Sequence, residues 1–240
     1  VQSVVDEKHG LIVHADATNA TSDVNQFARQ IEEANSLFST PCQVACADAG
    51  YANTDELEKI DQQGIKVIVP SQRQALHEEE SPFSKSHFTY NKEQDVYICP
   101  EGHMLRYHGT HKRKDKRYYR IVDKKLCLGC KHYGQCTKSR HGRNIARLRN
   151  EEVKLRLEAQ YLEESSQEIY AKRKTKAEHP FGHIKSNLKT DGFLLRQKDG
   201  VQAETSLLAT CFNLARMITI FGVYGLIEKM SGLTGLVASC

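Results

Sequence analysis

Apolar residues fall into short, differently spaced groups along the first seventy positions. Val1–Asp6 (VQSVVD) and Leu11–Ala17 (LIVHADA) are β-branched and partly alternating around Lys8-His9-Gly10, which predicts a hairpin. From Ser22 to Phe38 the apolar residues Val24, Phe27, Ile31, Ala34 and Leu37 recur at the spacing of one helical face. Val44–Ala47 (VACA) is an unbroken apolar run and predicts a buried central strand ending at Asp48. Asn53-x-x-Glu56 has the form of a capping box and opens a helix that ends before Gly64. Ile65–Val69 (IKVIV) predicts another strand, stopped by Pro70.

The pattern then changes. Residues 71–148 show no long periodic segment, and the helical signal returns from Asn150 to Lys189, with Ser165 and Ser166 as a break. Val201–Phe221 predicts a further helix through Leu207, Leu208, Cys211, Leu214, Met217, Ile218 and Phe221. Strand–helix–strand–helix–strand, an insertion, then helices is the order of an α/β protein with a mixed sheet flanked by helices. The expected organisation is 1–70, an insertion over 71–148, closing helices over 149–221, and a tail over 222–240.

Composition adds little until it is located. The chain has 240 residues, 39% hydrophobic and 27% charged, which suits a globular fold. No apolar run reaches the roughly 18 residues of a membrane span, Ile218–Leu226 being too short, so no membrane partner is expected. No signal peptide opens the chain, so a cytoplasmic location is expected. Because the chain begins on Val inside a strand-like run, it is expected to be part of a longer one. Residues 101–150 hold fifteen Lys and Arg against three Asp and Glu, a block of +12 that attracts a polyanion. Lys112, Arg113, Lys114, Lys116, Arg117 and Arg120 form its densest run, and charge alone would equally suit a solvated loop.

Cysteines tilt that balance. Cys127-x2-Cys130-x5-Cys136, with Cys99 upstream in Cys99-Pro-Glu-Gly, offers four thiolates for a tetrahedral structural Zn2+ in a small ribbon-like insertion. The two halves are widely spaced, which leaves His103 or His132 as substitute ligands. A disulfide framework needs an oxidising compartment that nothing in the sequence supports. Cys42, Cys46 and Cys211 lie in apolar runs and are expected in the core.

Two carboxylates stand out as candidate chemistry. Asp48, in Ala47-Asp48-Ala49-Gly50-Tyr51, sits at the carboxyl end of a predicted strand, where α/β proteins place their sites. Asp before Gly is also a common turn former. Glu178 shares a helical face with Lys174 and Lys185, beside Tyr170 and Arg173, which a salt-bridged surface would equally explain. Pro180 is expected to kink or restart that helix.

These residues together resemble the DDE transposases of bacterial insertion sequences, in the group with a ribonuclease-H-like fold and a Cys-rich insertion. The carrying stretches are Val1–Asn19, Ala47–Tyr51 (ADAGY), Val96–Gly102 (VYICPEG), Cys127–Ser139 (CLGCKHYGQCTKS), Tyr170–Lys185 (YAKRKTKAEHPFGHIK) and Gly192–Arg196 (GFLLR). The likeness implies that Asp48 is the second catalytic Asp, Glu178 the catalytic Glu and Lys185 a phosphate contact, with Tyr170, Arg173 and Lys174 near DNA. It implies Mg2+ or Mn2+ at Asp48 and Glu178, because a metal pair about 3.5–4 Å apart can activate a nucleophile and stabilise the leaving oxygen. It also implies transposon-end and target DNA as partners, and a homodimer at full length.

The family's first Asp lies on a strand before the opening hairpin, so this chain holds two of three carboxylates. Asp6 and Asp16 are expected outside the triad, as turn or solvent-facing residues. The leading reading is a transposase fragment that is inactive alone. The alternatives are a non-catalytic, zinc-containing DNA-binding protein and a zinc-stabilised protein-interaction module.

Overall fold

The computed structural model describes residues 1–111, 116–190 and 192–237, with side chains described to residue 232. Along the chain run β1 (Gln2–Val5), β2 (Ile12–Asp16), α1 (Phe27–Asn35), β3 (Val44–Cys46), α2 (Thr54–Asp61), β4 (Lys66–Ile68) and α3 (Gln72–Ala75). Then come β5 (Thr89–Asn91), β6 (Val96–Ile98), β7 (Met104–His111), β8 (Lys116–Ile121), α4 (Lys124–Leu128) and β9 (Asn144–Leu148). The helices α5 (Glu151–Leu162), α6 (Glu164–Ser186) and α7 (Gln197–Val237) close the order. Two compact units result, Val1–Ala75 with Arg156–Cys240, and Leu76–Leu155.

In the first unit β1 and β2 form the predicted antiparallel hairpin. Asp6 closes its turn by accepting from the backbone N–H groups of His9 (2.7 Å) and Leu11 (2.6 Å). Asp16 is buried and ion-paired to Arg29 at 2.7 Å, so it is not a solvent-facing residue. Helix α1 is shorter than its periodicity, because Val24 and Leu37 are exposed and the buried stripe is Phe27, Ala28, Ile31 and Ala34. Asn53 caps α2 by accepting from Asp55 N at 3.1 Å. Glu56 does not complete the box, turning instead to Ala28 N and Lys59.

Strands β3 and β4 pair in parallel across α2, as a strand–helix–strand unit requires. The expected mixed sheet is thus present as two separate two-stranded ladders, β1–β2 and β3–β4. Strand β3 is not central, since it has one strand partner among the described residues and Val44 is exposed. Helix α6 touches both β1 and β3.

Helix α7 docks on the hairpin through polar side chains. Asn213 accepts from Ile12 N and donates to Ile12 O, both at 2.8 Å. Gln202 accepts from Ala17 N at 2.6 Å and donates to Ala15 O at 3.0 Å, and Arg216 Nε donates to His9 O at 2.8 Å. Carboxamides here take the place of another strand along the β2 edge, and each orphaned buried group would cost about 1–3 kcal/mol.

By length and composition Gln197–Gly232 is long and apolar enough to cross a membrane, which the sequence reading did not anticipate. Gly222, at φ 68° and ψ 166°, interrupts that helix, and Gln202, Asn213 and Arg216 commit its first half to the hairpin. The break before α6 falls at the extended Glu163 rather than at Ser165 or Ser166. Helix α6 runs on through a buried Pro180 without restarting.

In the second unit the stretch read as lacking long periodic elements is a five-stranded antiparallel meander, β5 to β9 in sequence order. Phe88, Tyr97, Leu105, Tyr119, Ile121 and Ile145 form its core. Asp95 binds this layer together, accepting from Tyr119 (2.6 Å), Tyr90 (2.7 Å) and Arg117 (2.6 Å). Those three donors outweigh the effect of burial and hold its carboxyl below the usual range.

Candidate active site

Asp48 follows β3, where Ala47 N still donates to Ile68 O at 3.2 Å. Its extended backbone turns the carboxylate back to accept from Gly50 N at 2.9 Å. A Cβ on Gly50 would stand 2.9 Å from Asp48 Oδ1, so a larger residue there would push the carboxylate from its present place. The Asp48 side chain stays 49% exposed, which leaves lone pairs free for a hard cation.

Around it the structure assembles partners that the sequence did not reveal. Asp23 Oδ2 lies 3.7 Å from the same Cβ position, so two carboxylates flank Gly50. Asp23 Oδ1 accepts from Gln2 Nε2 at 2.5 Å, and Gln2 Oε1 accepts from the Tyr51 hydroxyl. Burial, then the charges of Asp23 and Asp48, push the Tyr51 hydroxyl up to about 12. No spacing signal pointed to Asp23, which comes from a loop between the hairpin and α1.

Arg173 approaches Asp48 Oδ2 to 3.8 Å, a charge contact rather than a hydrogen bond. Its guanidinium lies over the Tyr170 ring at 5.3 Å, and Tyr170 packs edge-on against Tyr161 at 5.1 Å. Lys174, Glu178 and Lys185 are exposed along another side of α6. Glu178 stands roughly 140° round the helix from Arg173 and about 7.5 Å along the axis. Asp48 is therefore brought together with Arg173, Tyr51 and Asp23, while Glu178 and Lys185 lie outside that group.

Cys99, Cys127, Cys130 and Cys136 line one cavity of about 30 Å3 with Phe83 and Phe88. Three of the sulfurs accept backbone N–H groups: Cys99 from His103 (3.3 Å), Cys127 from Arg143 (3.4 Å) and Cys130 from His132 (3.5 Å). Burial raises the Cys136 thiol, Arg143 opposes, and the sulfurs of Cys127, Cys99 and Cys130 add to the rise. Gly142, at φ 78°, packs against two residues of that lining, and a Cβ there would strike Ile121 Cγ2 and stand 3.3 Å from Cys127 Sγ. Among the described residues no three His, Cys, Asp or Glu are grouped closely enough to hold a metal ion, at these cysteines or at Asp48. Cys42 and Cys211 are exposed and Cys46 is half-buried, so none is the core residue expected, and the described cysteines form no disulfide.

Of the basic run, residues 112–114 lie outside the described residues. Arg117 is committed to Asp95 and stacks over Tyr107 at 4.8 Å. Lys116 lies opposite Leu148, and Arg120 lies opposite both Arg106 and Asn144.

Residues 98–218, half of the chain, match the family described as Transposase DDE domain. The chain belongs to the DDE transposases. The match takes in the four cysteines, Glu178 and Lys185, while Asp48 lies before it. No curated protein and no solved structure matches the chain. DDE transposases act on DNA and use divalent metals such as Mg2+, and the match gives no support to a non-catalytic binder. In this transposase the mixed α/β elements are compatible with a nuclease-like domain.

Proposed function

We propose that the chain is a fragment of a DDE transposase that breaks and joins DNA by two-metal phosphodiester chemistry and lacks the first carboxylate. The family match through Glu178 and Lys185 carries this reading. Asp48 and Glu178 would hold Mg2+ or Mn2+ together with an upstream Asp. Both present hard oxygen donors that are open to solvent. The metals would supply an activated water or 3′-hydroxyl and a stabilised leaving oxygen. Lys185 would meet a phosphate, and Tyr170, Arg173, Lys174 and the basic block would hold the duplex.

The two separate ladders support a missing element. One strand between β1 and β3 would join them beneath α6, which touches both, and would place its side chains beside Asp48. Strand-transfer and nicking assays on transposon-end DNA test this. The 240-residue chain should show no activity with Mg2+ or Mn2+, and a version extended upstream through an acidic strand should show it. Cleavage by the short chain that vanishes on Asp48→Asn would refute the fragment reading and turn attention to Asp23.

We also propose that Cys99, Cys127, Cys130 and Cys136, which are not grouped closely enough for a metal ion in this conformation, draw together around a structural Zn2+. Support comes from the shared cavity and from the three backbone N–H groups, which would orient thiolate ligands. A homodimer would use the exposed stripe Leu207, Cys211, Leu214, Ile218 and Phe221, whose alternating steps of four and three are those of a two-helix seam. Light scattering should then show a dimer that Leu214→Glu converts to monomer; a monomeric parent protein would end this idea.

A further inference from the structure

The meander carries two arginine pairs in direct cross-strand register, and the sheet treats them differently. Arg117 faces Arg147 between β8 and β9, and Arg106 faces Arg120 between β7 and β8. Successive residues of a strand point to opposite faces, so Arg117 and Arg147 share the side of Tyr119 and Ile145, while Arg106 and Arg120 occupy the other.

The inner pair is neutralised. Arg117 reaches Asp95 at 2.6 Å and Arg147 reaches Glu152 at 3.4 Å. Their guanidinium groups also lie over Tyr107 (4.8 Å) and Tyr90 (3.8 Å). Other cations of this unit are similarly committed: Lys85 to Glu151, Lys131 to Glu101, and Arg143 to the carbonyls of Cys136 and Phe83.

The outer pair has no such relief. Among the described residues neither Arg106 nor Arg120 has an acidic partner. Like charges placed directly opposite one another destabilise a sheet. Strand positions sharing this face include Val96, Tyr118, Asn144 and Ala146, and none is acidic. Lys116 lies on the same face four residues before Arg120, with Tyr118 between them. The result is a strip of cations with no acidic residue on it among the described residues and with an aromatic ring inside it, in a block of net charge +12.

We propose that this outer face is a binding surface for the phosphate backbone of duplex DNA, with Arg106 and Arg120 as its centre. Two adjacent guanidinium forks match phosphate oxygens in a bidentate manner, and an anion between them removes their repulsion. The proposal rests on the transposase reading for the identity of the polyanion, and it deepens that reading by placing DNA on one face of the meander. It assigns Arg106 a role the sequence did not suggest, and it removes Arg117 from the DNA contacts, since that residue is spent on Asp95.

Fluorescence binding of the full chain to duplex DNA of arbitrary sequence, across a salt series, tests the assignment. The double variant Arg106→Gln/Arg120→Gln should weaken binding and lower the slope of log affinity against log salt by about 2. Its thermal midpoint should be unchanged or higher, because a repulsive pair has been removed. A merely structural arginine pair would instead lower the midpoint and leave the slope alone. An unchanged slope with intact binding overturns the surface and leaves the transposase reading standing. A parent chain that binds no DNA at low salt sinks both.

Discussion

Glu178→Gln in an upstream-extended protein is expected to lower strand transfer by about 10^3-fold or more, while DNA affinity changes by less than about twofold. The substitution keeps size and removes one negative charge, so any loss reports on metal binding rather than packing. Glu178 is exposed on α6, so Gln there leaves no buried group unsatisfied. Asp48→Asn should cost as much activity, yet with a different side effect. Asp48 anchors its own turn through Gly50 N and faces Arg173 at 3.8 Å, so Asn keeps the turn acceptor and loses the charge contact. Arg173, with its Nε buried and unpartnered among the described residues, would then lose its nearest counter-charge, and a modest fall in stability should accompany the lost activity. An extended protein whose Glu178→Gln variant transfers strands at the parent rate would remove Glu178 from the chemistry. Equal loss of DNA binding would instead make Glu178 a folding residue.

The hairpin, the strand before Asp48, the α2 cap and the three closing helices were legible because each is written in local spacing. Asn53 caps α2 wherever the helix packs, and Asp-Ala-Gly makes its turn from within. What local spacing does not carry is the partner across space. Val44–Ala47 reads as central because it is apolar, yet a strand becomes central only when both edges are paired, and β3 has one strand partner among the described residues. The meander was missed for a related reason. Its strands mix tyrosine with arginine on both faces, as in Lys116–Ile121 (KRYYRI), and arginine counts as polar although Arg117 and Arg147 lie over tyrosine rings on the core side. Asp23 was invisible because no motif surrounds it; only the fold sets it beside Gly50. Family membership, by contrast, was carried by the order of cysteines, carboxylates and lysines, which survives ignorance of the packing.

With zinc held at the four cysteines as proposed, its removal is expected to loosen one segment of the meander rather than unfold the sheet. The core of Phe88, Tyr97, Leu105, Tyr119, Ile121 and Ile145 draws on all strands from β6 to β9, and each such side chain contributes about 1.5–3 kcal/mol by burial. Between Ile121 and Ile145 the side chains that pack against that core are the partly buried Cys127 and Cys136, and Leu126 and Leu128 of α4 are each 41% exposed. Ordering each residue of that stretch costs about 1–2 kcal/mol of backbone entropy. Beside its own turn hydrogen bonds, the stretch is tied to the rest of the unit by Arg143 to Phe83 O and by Val122 N to Met104 O, hydrogen bonds worth about 0.5–1.5 kcal/mol each, and by Lys131 and His132 to Glu101. A metal joining Cys127, Cys130 and Cys136 to Cys99 at the β6 end would supply the missing term, since structural zinc contributes folding free energy directly. Protein purified without added zinc should therefore contain about one Zn per chain. Chelation, or Cys127→Ser, should release it and open Lys124, Lys125, Lys131, Lys138 and Arg140 to trypsin, while the tyrosine circular dichroism of the sheet persists. Metal-free protein with the same cleavage pattern before and after chelator would show that the segment is held by packing alone.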